Sequence, residues 1–190
     1  MDLSIRNSEE YKFIAKIYGP RKALRSQVPY INHIDEGLFI LETLFPEDVL
    51  VQKAFCLHPV FQEDRDFVKN ASLNFDKLDP QAIVLAMEYR HVANAHLPKH
   101  DIKPYQEINL GPLESSMKKL LIADKIQNCK DFEVYNHNHP RADRLHHYFH
   151  KEWFPRLNIT EEVYFRFALH YIITPQNQSQ LESLRKNFNV

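Results

Sequence analysis

Three glycines in 190 residues are too few for a protein built on tight hairpins, whose two-residue turns draw on glycine for positive φ angles. The eleven prolines stand between segments in which apolar residues recur every three to four positions, so an all-α fold is expected. Cysteine is scarce as well: Cys56 and Cys129 lie far apart inside apolar helical patterns, which suits reduced core thiols better than a disulfide framework. No stretch approaches the roughly 18 consecutive apolar residues of a membrane span. "MDLSIRNSEEYKF" also lacks the apolar run of a signal peptide, so a cytoplasmic protein without membrane contact is expected. An excess of one charge is missing too. Lys and Arg number 24 against 25 Asp and Glu, a net charge of -1, and no basic stripe offers itself to nucleic acid. A Gly-rich phosphate loop, a Cys-x-x-Cys pair and a Gly-x-Ser-x-Gly elbow are all absent, which removes the common nucleotide-loop, thiol-redox and serine-hydrolase classes.

What is present is apolar material for one core. Hydrophobic residues make up 44% and aromatics 12%, enough for a single domain spanning residues 1–190. Start and stop signals place a first helix from the cap Ser8 to Gly19-Pro20, a second from about Asn32 to Leu44, and a third from about Pro46 to His58. "DPQAIVLAMEYRHVANAHLP" predicts a long helix capped by Asp79, opened by Pro80 and stopped by Pro98. "GPLESSMKKLLIADKIQNCKDF" predicts another opening at Pro112, with Leu113, Met117, Leu120, Leu121 and Asp124 recurring on one side. Further helices are expected at about 141–154, 160–172 and 176–187, and an ordered loop at "LPKHDIKPYQEINLGP".

Asp124 stands out because an ionised carboxylate on an apolar helical face needs a partner or a metal. It shares that face with Leu120 and Asn128. His33, in "PYINHIDEGLFIL", and His58, in "AFCLHPV", also sit among apolar residues of expected helices. Each of the three, alone, reads as a hydrogen-bonded core residue. Together, on helices able to converge, they also fit a site of two histidines and one carboxylate.

The order "PYINH", "AFCLH", "LIADKIQN" resembles the HD superfamily of metal-dependent phosphohydrolases, and most of all its alarmone-hydrolase branch, over about residues 20–130. The resemblance implies an HD-type helical bundle, with residues 131–190 as a helical extension of the same domain. It makes His33, His58 and Asp124 the ligands of a divalent ion (Mn²⁺, Zn²⁺ or Fe²⁺) and Asn128 a substrate contact. The implied activity is hydrolysis of a phosphate or pyrophosphate ester in a nucleotide or other phosphorylated small molecule. Glu63 and Asp64 would be the catalytic carboxylates, and Arg25 and Lys125 would neutralise phosphate charge.

The departure is Pro59, which stands where the family carries the aspartate of its His-Asp pair. The acidic pair that follows is shifted as well, to Gln62, Glu63 and Asp64. The bland reading of Glu63, Asp64 and Asp66 is a solvated helical face. Proline offers no ligand atom and disfavours helical backbone at His58, so the third helix is expected to end or bend there. The alternative function is therefore a protein of the same fold that has lost hydrolysis and binds a nucleotide, a protein partner or a second copy.

Two other segments carry polar chemistry. In "EYRHVANAHL", Arg90 or Asn94 can meet a phosphate, although a core helix with a polar edge suffices. "YNHNHPRADRLHHYFHKEW" holds His137, His139, His146, His147 and His150. His146 and His150 have the one-turn spacing of a helical metal pair, with Asp143 the nearby carboxylate. The simpler reading is a helix packed through Leu145, Phe149 and Trp153.

Overall fold

Ser8 opens the first helix, α1 (Glu9–Tyr18), by accepting a hydrogen bond from the Tyr11 N–H at 3.1 Å. The helix closes at Gly19, whose φ of +52° is a conformation glycine adopts without strain. The computed structural model describes residues 4–24, 26–62, 68, 75–95, 110–135 and 142–172. A short antiparallel bridge between Lys22 and Pro29 leads from α1 into α2 (Ile31–Leu44).

The next helix, α3 (Val49–Phe61), corrects the expectation at Pro59. It does not stop at His58 but runs through the proline to Phe61. Pro59 lies only two residues from the helix end, so its ring interrupts the backbone ladder at one place instead of breaking a long run. Beyond it, α4 (Pro80–Ala95) starts as expected: Asp79 Oδ1 accepts the Gln81 N–H at 3.0 Å. Asp79 is itself held by Glu10, which accepts its backbone N–H at 2.8 Å, and by Lys53 at 3.0 Å.

The longest helix among the described residues, α5 (Ser115–Tyr135), begins three residues after the expected Pro112, because Gly111 turns the chain at φ +60° and Glu114 supplies the carbonyl that accepts the Lys118 N–H. After it come α6 (Ala142–His147), a π-helical stretch (Tyr148–Trp153), α7 (Phe154–Leu157) and α8 (Glu161–Ile172). The expected helix at 176–187 and the loop "LPKHDIKPYQEINLGP" up to Asn109 lie outside the described residues.

The architecture is an all-α bundle. Helix α3 is its axis, touching α1, α2, α4 and α5, while α5 packs on α2, α3, α4 and α8. This explains why α3 is apolar on nearly every side: Val51, Ala54, Phe55, Cys56, Leu57, Val60 and Phe61 are all buried. Cys56 and Cys129 are free and buried, as the sequence predicts. Among the described residues no helix is long and apolar enough to cross a membrane.

Candidate metal centre

Three helices bring one side chain each to a common point: α2 supplies His33, α3 His58 and α5 Asp124. His33 Nε2 lies 3.1 Å from His58 Nε2, and Asp124 Oδ1 lies 3.8 Å from the first and 3.6 Å from the second. A triangle with those sides has a circumscribed radius of about 2 Å, which matches the roughly 2.0–2.2 Å bonds that histidine and carboxylate make to zinc-sized ions.

Hydrogen bonds on the far side of each ring decide what the near side can do. His58 Nδ1 is 2.7 Å from the Phe55 carbonyl oxygen, an acceptor, so Nδ1 carries the hydrogen and Nε2 presents a lone pair. His33 Nδ1 is 2.5 Å from Gln127 Oε1. The orientation of that amide is set independently, since Gln127 Nε2 donates to Glu36 Oε2 at 3.0 Å and Asp131 Oδ2 at 2.8 Å. His33 Nδ1 therefore donates as well, and its Nε2 is also a lone pair. Such outer hydrogen bonds are how proteins hold metal-ligating imidazoles in one tautomer.

Asp124 completes the set as an anion. Burial alone would lift its carboxyl, but the Lys125 ammonium beside it holds it well below the usual carboxylate range. Lys125 Nζ sits 2.8 Å from Oδ2, and Asn128 Nδ2 donates to Oδ1 at 2.7 Å. Burial, with His33 nearby, pushes His58 down to about 3, so its ring stays neutral at ordinary pH. Two lone pairs and a carboxylate oxygen thus face one another, and a small cation placed between them would satisfy all three.

Pro59 has a second consequence here. Having no backbone N–H, it leaves the carbonyl four residues earlier without its usual helical donor, and that carbonyl belongs to Phe55. The same oxygen accepts the His58 Nδ1–H. Pro59 therefore frees the acceptor that fixes the neighbouring histidine. Pro59→Ala is expected to raise thermal stability, by about 1–3 kcal/mol, since alanine restores the ladder bond. It should also weaken metal retention roughly tenfold, because the Phe55 carbonyl is then shared. Thermal melts of metal-free protein and competition with a chelator check both; unchanged metal affinity would remove Phe55 as the lock.

Of the other residues singled out in the sequence, Lys125 turns inward: its side chain is 5% exposed and its ammonium lies over the Trp153 ring at 4.6 Å. Asn128 orients Asp124, and Asn94 donates to the Gln62 carbonyl at 2.6 Å, tying α4 to the end of α3. Arg25, Glu63, Asp64 and Asp66 lie outside the described residues. Sequence reasoning missed Gln127 and Glu36. Gln127 directly precedes Asn128, and Glu36 follows His33 by three residues, so helical spacing could have raised both.

Compared with family models, with curated proteins and with solved structures, the chain matches none.

Proposed function

We propose that His33, His58 and Asp124 hold a divalent transition-metal ion, and that the protein is an altered member of the HD superfamily that hydrolyses a phosphate or pyrophosphate ester of a nucleotide. The observation that supports this most directly is the meeting of two Nε2 lone pairs and a carboxylate oxygen within 3.8 Å, each imidazole fixed from behind by an acceptor. Two histidines and a carboxylate with open positions suit Fe²⁺, Mn²⁺ or Zn²⁺. Such an ion supplies Lewis acidity toward a phosphoryl oxygen and brings water toward ionisation near neutral pH.

The chain's own contribution is positional. Gln127 and the Phe55 carbonyl keep both rings in the ligating tautomer, while Lys125 and Asn128 hold the carboxylate. Glu63 or Asp64 is assigned the acid–base role, and Arg25 the phosphate charge. A second reading rests on Pro59, which supplies no ligand atom: a protein that keeps the metal and binds a nucleotide or protein partner without turnover.

Elemental analysis of untagged protein beside His33→Gln and His58→Gln tests the centre. About one equivalent of transition metal at this site, lost in both variants, is expected. Unchanged content in the variants would sink the assignment. Nucleotide hydrolysis assays on the native chain and on Pro59→Asp then separate the two readings. Activity in the native chain supports the hydrolase, whereas activity gained only with Pro59→Asp supports the binding protein.

A further inference from the structure

A second group of ligating side chains meets farther along α5, away from the centre described above. Cys129 and Glu133 stand one turn apart on that helix, and His146 and His150 stand four residues apart where α6 passes into the π-helical stretch. The two pairs face each other. Cys129 Sγ lies 3.6 Å from His150 Nε2, Glu133 Oε1 lies 2.8 Å from the same nitrogen, and His146 Nδ1 lies 3.5 Å from Glu133 Oε1. The two imidazoles stack at 4.4 Å, and Tyr164 donates its hydroxyl to Glu133 Oε2.

We propose that Cys129, Glu133 and His150 form a second metal site for Zn²⁺, joining α5 to the α6–π segment, with His146, 3.5 Å from Glu133 Oε1, as the nearest further donor. Sulfur, nitrogen and carboxylate oxygen are the ligand types zinc takes, and a one-turn pair on one helix with a histidine from the facing segment meets it on three sides. Bonds of about 2.3 Å to sulfur and 2.0–2.1 Å to nitrogen at a tetrahedral angle put those two atoms about 3.5 Å apart, close to the 3.6 Å observed. The 2.8 Å contact between Glu133 and His150 is shorter than a tetrahedral edge and opens by about half an ångström on loading.

Tyr164 supplies the hydrogen bond that orients a ligating carboxylate. An entry route exists as well: a cleft of about 240 Å³ is lined by His146, His150, Lys151, Phe154, Glu161 and neighbouring residues, and the His146 side chain is 45% exposed. Loading releases the Cys129 thiol proton to solvent and moves the His150 hydrogen from Nε2, which bonds Glu133 without metal, to Nδ1. No oxidant or reductant is needed. The rival is a hydrogen-bonded polar core made by the same residues.

Cobalt separates the two sites, because only a thiolate ligand gives a sulfur-to-Co²⁺ charge-transfer band in the near ultraviolet, and the His33, His58, Asp124 centre has no sulfur. Untagged, metal-free protein titrated with Co²⁺ is expected to show the band, saturating by about two equivalents in the native chain, whose first centre also takes cobalt, and near one equivalent in His58→Gln. His58→Gln and Cys56→Ser should keep it and Cys129→Ser should abolish it. His150→Gln, which leaves the buried cysteine in place, should weaken cobalt binding at this site at least tenfold, guarding against misfolding of the Cys129 variant. Absence of the band from folded native protein, or its persistence unchanged in folded Cys129→Ser or in His150→Gln, overturns the site and leaves the polar core.

Discussion

Asp124→Ala is expected to destabilise the metal-free protein by about 3–5 kcal/mol, well beyond the loss of one hydrogen bond. The reason lies in its neighbour. The Lys125 ammonium sits in the interior, 2.8 Å from Asp124 Oδ2 and over the Trp153 and Tyr89 rings. Burial disfavours its charge, and the Asp124 carboxylate more than compensates, raising its pKa above the ordinary lysine value. Without that carboxylate the charge is stranded in low dielectric, and the lysine must lose its proton or leave the core. The double variant Asp124→Ala/Lys125→Met should recover at least half of the loss, since it removes the stranded charge and keeps an apolar chain of similar length. Urea unfolding in the presence of a chelator measures both. A cost under about 1 kcal/mol for Asp124→Ala would show that Lys125 reaches water readily.

Gly37→Ala is expected to destabilise by about 2–3 kcal/mol although alanine is the better helix former by about 1 kcal/mol. Gly37 sits inside α2 where α3 crosses it, and a Cβ there would lie 2.0 Å from Phe55 Cζ and 2.1 Å from Cε1. A separation that short requires the ring or a helix to move. The ring cannot move alone, because it stacks on His33 at 5.5 Å and lies 4.7 Å from His58. Metal affinity at the proposed centre should therefore fall at least tenfold together with stability. Phe55→Leu in the same background should restore part of both by giving the methyl room. Thermal melts and chelator competition provide the readouts; a neutral or stabilised Gly37→Ala would mean that α2 and α3 part without disturbing the centre.

These two sites show where sequence reading reached and where it stopped. The helices α1 and α2 start and end close to where the sequence puts them, α4 and α8 start there, and Asp79 and Ser8 act as the caps expected. His33, His58 and Asp124 were each visible as polar residues in apolar faces, and the structure brings them together. The expected helix end at His58 did not occur: α3 carries Pro59 in its last turn, and the Phe55 carbonyl that the proline leaves without a backbone donor is taken by a side chain. The partner of that carbonyl, the His58 ring, is a side-chain choice no helical rule specifies. The second cluster was half legible for the same kind of reason: His146 and His150 advertise their pairing by spacing, but Cys129 and Glu133 lie on another helix.

What the sequence by itself determined is local. Glycine scarcity, apolar repeats of three to four residues and capping side chains act within one or two turns, so they specify an all-α chain and where several of its helices start. Tertiary structure alone decided the rest. The 3.1–3.8 Å approach of His33, His58 and Asp124, the tautomers imposed by Gln127 and the Phe55 carbonyl, and the closeness of Gly37 to Phe55 all depend on separations between helices. Those separations are set by how whole side-chain volumes interlock across α2, α3 and α5, a property of the packed core that no single segment contains.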